Sequence, residues 1–146
     1  MTRLHVEAEG TAAAGADHVW DLVSDATTYA EWGPWTGSGY ERPGDGAERG
    51  PGAVRWMRYG RTTTVEQLLE VEEGRRLVYT VLRGIPVRNY RAEVVLTPAG
   101  PGTHIHWSAT WDRTLAGRIV QRKLRQIYPH VVADLVTAAD RRAARS

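Results

Sequence analysis

Two groups of residues in this 146-residue chain have types and spacings that could do chemistry. The first is imidazole. His104 and His106 sit two apart in "GTHIHWSATWD", residues 102 to 112, and His5 lies near the N-terminus in "RLHVE". The second is a charged pair set among aromatics, in which Arg55 and Glu66 accompany Met57, Tyr79, Tyr90, Trp107 and Trp111. On a strand, side chains alternate between faces, so either the histidines or the stripe Ile105, Trp107, Ala109 and Trp111 looks into the protein. The first arrangement would make a metal centre, the second a cavity for an organic ligand.

The elements that must position these residues follow from pattern. Residues 3 to 11 alternate Leu4, Val6 and Ala8 against Arg3, His5, Glu7 and Glu9, which predicts a strand with one wet face. "GADHVWDLVSD" carries a short helical stripe of Val19, Leu22 and Val23. "TYAEW" reads as a second short helix with Thr28 and Glu31 spaced as a capping box. Residues 33 to 52 are dense in Gly and Pro and predict loop, interrupted by a short strand near Tyr40. Residues 53 to 112 predict up to five strands joined at "YGRT", "EEGR", "RGIPVR" and "TPAGPGT". A long helix is expected from Leu115 to Arg142, with Ile119, Leu124, Ile127, Val131, Leu135 and Ala138 on one side and a kink at Pro129. The class is α+β, a curved antiparallel sheet whose concave face only the long helix can cover.

Tight turns fix register, so the pairing can be read from them. A turn at Gly60 and Arg61 puts Tyr59 beside Thr62 and Arg55 beside Glu66. A turn at Glu73 and Gly74 puts Glu66 beside Val81 and Leu68 beside Tyr79, and the later turns put Val81 beside Tyr90, Tyr79 beside Ala92, Val94 beside Trp107 and Tyr90 beside Trp111. These pairs join into one mostly apolar surface that faces the helix and leaves His104, His106 and His5 outside. Imidazoles on an outer sheet face are ordinarily solvated, and zinc there would need tetrahedral geometry and ordered supporting partners, so neither metal nor cofactor is expected. The reverse of the fourth strand would then show Val65, Leu69 and Val71, which a β-bulge near Leu68 and Leu69 would correct.

On the inward face, opposite charges at Arg55 and Glu66 are costly to bury and stabilise little on average, which hints at a site. Arg55 could hold a carboxylate or enolate oxygen with Glu66 orienting it; the structural alternative is an ion pair or a solvated sheet edge. Tyr79, Tyr90, Trp107 and Trp111 could line a pocket, their polar tips orienting a ligand while the rings cover its apolar body, or could fill space beneath the helix. A tyrosine proton donor would be slow at its ordinary value near 10.

Composition sets the bounds. Length and 42% hydrophobic content fit one domain spanning 1–146. No apolar run approaches the roughly 20 residues that cross a bilayer, and the N-terminus lacks an apolar signal block, so a cytoplasmic protein without membrane insertion is expected. Cysteine is absent, which excludes disulfides, thiolate zinc sites and thiol nucleophiles. Formal charge is only +2, and one basic cluster, "RRAAR" at the C-terminus, stands out as a solvated helix end, so nucleic acid is not an expected partner. Phe is missing while Trp and Tyr number six each. "ERPGDGAERGPG" lacks the Gly-Lys-Ser/Thr ending of a phosphate loop and reads as an entrance loop.

The run "ADHVWDLVSDATTYAEWGPW", then "GAVRWMRYGRTTTVEQLLEVEEGRRLVYTVLRGIPVRNYRAEVVLTPAGPGTHIHW" and the terminal helix, resembles START-like proteins of the SRPBCC superfamily, and within it the polyketide cyclase/dehydrase branch. The resemblance covers nearly the whole chain and rests on the order of weak motifs, namely Val19-Trp20, the Asp25 to Trp32 spacing, Arg55, Glu66, Tyr79, Pro86, Gly102-Thr103 and Trp107. It implies a helix-grip fold enclosing a deep cavity for a hydrophobic or polycyclic small molecule. Such proteins include carriers, aromatase/cyclases and members without known activity, so fold does not settle function. The expected function is binding of such a molecule; the alternatives are an aromatase/cyclase or dehydratase acting on a polyketide-type substrate, and a groove that holds a protein or lipid partner. Oligomeric state is left open.

Overall fold

The computed structural model describes residues 3–146. Seven antiparallel strands form one sheet in the order β1-β7-β6-β5-β4-β3-β2. Strand β1 spans Arg3–Ala12, β2 Gly37–Arg42, β3 Val54–Tyr59, β4 Thr62–Glu72, β5 Arg76–Arg83, β6 Arg91–Ala99 and β7 Gly102–Asp112. Helix α1 (Ala16–Val23), a short turn of helix and α2 (Tyr29–Trp32) lie between β1 and β2, and α3 (Leu115–Arg145) closes the chain. This is the expected α+β grip.

The turn at Gly60 and Arg61 is two residues long as expected, but that at Gly74 holds three, Glu72 pairing with Arg76, and a bulge takes up the difference, so the expected pairs beyond it still form. Arg55 pairs with Glu66, Glu66 with Val81, Leu68 with Tyr79, Tyr79 with Ala92 and Val94 with Trp107. A bulge between Leu68 and Glu70 leaves Leu69 unpaired and exposed, and brings Val71 opposite Leu77 against the core. Val65 stays on the outer face, buried beside its cross-strand partner Trp56. Two predicted pairs fall outside the ladders. The chain turns at Asn89, whose φ of 54° is the one left-handed value outside glycine among the described residues, and β6 begins only at Arg91. Tyr90 is instead held through its carbonyl by the Thr80 hydroxyl, and its ring stacks on Trp111 at 5.5 Å.

Burial along β7 alternates without a break, with Ile105, Trp107, Ala109 and Trp111 inside. His104 and His106 therefore lie on the outer face, where His104 meets Thr11 Oγ1 at 3.3 Å and Glu7 lies within 3.5 Å of both His5 and His106. Two helical expectations need correction. Thr28 does not cap α2, because its hydroxyl donates backward to the Leu22 and Asp25 carbonyls; α2 has no side-chain cap, and Asp25 instead caps the short turn of helix before it, accepting from the Thr27 N–H at 3.0 Å. Ile119, expected on the buried side of α3, is 58% exposed, and Tyr128 and Val132 are buried instead.

Helix α3 is capped by Thr114, whose side chain accepts from the Gly117 N–H, and runs through Pro129 to Arg145. Its backbone comes closest to β1. Gly10 makes that approach possible, since a Cβ there would meet the Val132 side chain at 3.0 Å. Asp140 completes the seam by accepting from the Ala14 N–H at 2.9 Å. Leu135, fully buried where α3 meets the sheet, should cost about 2–5 kcal/mol on Leu135→Ala. Ile119→Ala should cost within about 0.5 kcal/mol, and urea unfolding of both variants measures the contrast.

Candidate functional site

Away from β1, the helix and the sheet do not close on each other. A pocket of about 370 Å³ lies between α3 and the concave face of β3 to β7. Glu66, Tyr79, Tyr90 and Trp107 line it, as do Trp35, Val81, Ile85, Leu124, Ile127 and Tyr128. Its rim carries Tyr59 and Ile119, 44% and 58% exposed, so the pocket opens to the surface at that end. Of the residues singled out by sequence, Arg55, Met57 and Trp111 do not line it. Met57 and Trp111 are buried in the surrounding core, and Trp111 is spent on structure, its indole N–H donating to the Gly117 carbonyl at 3.0 Å.

Arg55 lies behind the wall, 1% exposed. Its Nε donates to Glu66 Oε1 at 3.0 Å and its Nη1 to the Tyr29 hydroxyl at 3.1 Å. The guanidinium carbon sits 4.9 Å from the Tyr29 ring centroid and 4.7 Å from that of Tyr79, so two phenol rings flank the cation. The Tyr29 hydroxyl in turn donates to the Val23 carbonyl at 2.5 Å. Nη2 is the buried side-chain polar atom left without a partner among the described residues.

Burial sets the electrostatics. It raises the Glu66 carboxyl above its ordinary range, with Arg55 working against the shift. Burial likewise pushes the Tyr29 phenol up to about 12, with Arg55 again opposing. For Arg55, burial disfavours the charge, but the neighbouring Tyr29 and Glu66 oxygens more than offset it and the guanidinium stays ionised. Tyr79, Tyr90 and Tyr128 are raised well above the usual phenol value by burial. These phenols stay protonated at neutral pH and act as hydrogen-bonding groups. Trp107 Nε1 donates to the Tyr79 hydroxyl at 3.0 Å, and the Tyr90 and Tyr128 hydroxyls share a 2.6 Å bond. Among the described residues no group of three His, Asp or Glu side chains is placed to hold a metal.

Sequence reasoning did not single out Tyr29, Trp35 or Tyr128. Tyr128 was within reach, because it continues the inward spacing of Leu124 and Val131 on α3. Tyr29 and Trp35 sit on a four-residue helix and the loop after it, too short to carry a period.

The model of a family described as polyketide cyclase / dehydrase and lipid transport matches residues 3–140. Among solved structures, a solution NMR structure from Thermobifida fusca is 28% identical, with a TM-score of 0.73 over 97% of this chain and 93% of that one. A START superfamily protein from Mycobacterium smegmatis is 15% identical, with a TM-score of 0.72 over 97% of both chains. A protein of Bacillus thuringiensis is 18% identical, with a TM-score of 0.75 over 93% of this chain and 98% of that one. At the lower identities the likeness concerns fold alone. No curated protein matches this chain.

Breaking the buried pair should be expensive and removing it cheap. Arg55→Met, which leaves the Glu66 carboxyl without its cation, should cost about 3–5 kcal/mol, and Arg55→Met/Glu66→Leu should recover more than half of that in urea unfolding. The pair also has a pH signature. A carboxyl raised in the fold favours folding when protonated, so its contribution is full below its ordinary value of 4.5 and is lost as pH rises through the folded value. The stability of the wild type relative to Glu66→Gln should therefore fall from pH 4.5 toward neutrality.

Proposed function

The chain belongs to the polyketide cyclase / dehydrase and lipid transport family, and from that premise we propose that it binds a hydrophobic or polycyclic small molecule in the pocket between α3 and the sheet. The observation that carries this reading is the wall itself. Aromatic and aliphatic side chains surround an open volume of about 370 Å³, with one carboxyl, Glu66, and the tips of Tyr79, Tyr90 and Tyr128 as convergent polar groups. Small-molecule sites are typically concave, mostly apolar and about 300–1,000 Å³. The volume is at the compact end of that range, which favours a fused-ring or short-chain occupant over a two-chain lipid.

The roles follow from position. Trp35, Tyr79 and Trp107 cover the ligand's apolar faces, and the phenols offer hydrogen bonds to its oxygens. Arg55 acts from the second layer, where its unpartnered Nη2 is a donor that a ligand oxygen or a water reaching past Glu66 and Tyr79 would complete. Met57 and Trp111 support the wall.

Glu66 favours a second reading, that of a cyclase or dehydratase on a polyketide-type substrate. Its carboxyl lines the pocket, and burial raises it above the ordinary carboxylate range, the direction that suits a carboxyl asked to give a proton as well as take one. The pocket would hold a flexible chain in reactive geometry while Glu66 moves a proton.

Native mass spectrometry of freshly purified protein should reveal a retained non-covalent molecule, and its mass would assign the chemical class. Val81→Trp, which places an indole into the pocket from β5, should weaken binding of 1-anilinonaphthalene-8-sulfonate by about tenfold or more without loss of the fold. Unchanged affinity in that variant would remove the pocket from consideration.

A further inference from the structure

The mouth of the pocket carries a surface that ligand binding alone does not explain. Between Asp112 and Asp134 the chain has no acidic residue, yet it contains Arg113, Arg118, Arg122, Lys123 and Arg125. This is a second cationic run besides "RRAAR", and Lys123 is the chain's single lysine. All five are exposed, and none has an ion-pair partner among the described residues. Elsewhere Arg3, Arg76, Arg83, Arg91 and Arg142 are each paired to a carboxylate, and arginines without one, such as Arg42, Arg61 and Arg88, stand far apart in the sequence.

Apolar groups project among these cations. Leu115 is 80% exposed and Ile119 58%, one helical turn apart on the same face, and Arg118, Arg122 and Arg125 share a shallow groove with them. Leu115 is held out, not frayed, because the turn that carries it is fixed. Thr114 caps it, and Trp111 ties the Gly117 carbonyl to the core. Of the five exposed large apolar side chains among the described residues, Tyr59 and Ile119 sit on the pocket rim and Leu115 adjoins it.

We infer that this end of α3 docks on an anionic lipid surface, with Leu115 and Ile119 entering the headgroup region and the five cations meeting lipid phosphates. A helix that presents aliphatic side chains flanked by Arg and Lys suits the interface of a bilayer, where apolar burial and attraction to anionic headgroups add. Nucleic acid offers the phosphates but nothing for Leu115 to enter. The protein lies on the membrane and does not span it, since among the described residues no helix is long and apolar enough to cross. Docked this way, the pocket opens toward the lipid, so an apolar occupant exchanges without crossing water.

The test is sedimentation with phosphatidylcholine vesicles containing or lacking phosphatidylglycerol. The wild type should bind the anionic vesicles, release them in high salt, and ignore neutral ones. Arg118→Glu/Arg122→Glu/Arg125→Glu should weaken binding on the order of a hundredfold. Leu115→Ser/Ile119→Ser should weaken it on the order of tenfold while thermal unfolding stays unchanged. Because the chain has no cysteine, Leu115→Cys and Leu69→Cys can each carry one environment-sensitive fluorophore, and only the former should shift to the blue on anionic vesicles. Absence of binding, equal binding to neutral vesicles, or vesicle binding indifferent to Leu115 and Ile119 would each overturn the proposal. So would retention by an acidic protein or by nucleic acid with none by vesicles.

Discussion

The architecture depends on an asymmetry in how the long helix meets the sheet. On the β1 side Gly10 lets the α3 backbone come close, and Val132 fills the space a side chain would take. On the other side the helix is held off by rings. The Tyr128 hydroxyl meets that of Tyr90, and the ring of Tyr128 stands edge-on to Trp107 with centroids 6.3 Å apart. Close packing is the rule in protein interiors, so an opening persists only where large, stiff side chains prevent collapse. Here the same aromatics that prop the helix also form the pocket wall, and an attempt to fill the space by moving α3 inward would break their hydrogen bonds.

The buried guanidinium of Arg55 is the second constraint. An ionised group in a dry interior is tolerated only when paired and hydrogen-bonded. Arg55 has a carboxylate on one nitrogen, a phenol on another and two aromatic faces around it. Through Tyr29 this cation reaches the Val23 carbonyl at the end of α1, so it joins β3, β4, β5 and the first helical segment at one point. Such a junction adds little net stability, because desolvation offsets the attraction. What it does is fix how the two short helices sit against the sheet, and with them Trp35 on the pocket wall.

Much of this was legible in the sequence for a definite reason. The two-residue turn at Gly60 sets the Arg55 to Glu66 pairing and strand period then assigns faces such as that of Trp107, whereas at Gly74 a turn of three residues and the bulge at Leu69 cancel, so the register beyond them matches that of a two-residue turn. Reasoning from turns lost its hold at "RGIPVR", where Asn89 takes a left-handed conformation and Tyr90 leaves the ladder. It also failed for α3, where a regular stripe misplaced Ile119: the helix leans toward β1, and the side facing the sheet's far edge borders an opening. Helical period shows which residues share a face but not how far that face stands from its neighbour. For the same reason Met57 and Trp111 share the inward surface with Tyr79 yet end in solid core.

The absence of phenylalanine has a mechanical result. Every aromatic ring along the wall ends in an N–H or O–H, and Trp107, Tyr79, Tyr90 and Tyr128 are tied in pairs through those atoms. Phenyl rings in the same places would be free to turn or to swing between rotamers. These have already surrendered that freedom when the chain folds, and a molecule bound as proposed would meet a mould that is set. Selection by such a mould works through rejection of shapes that do not fit, since little of its wall can adapt to accept them.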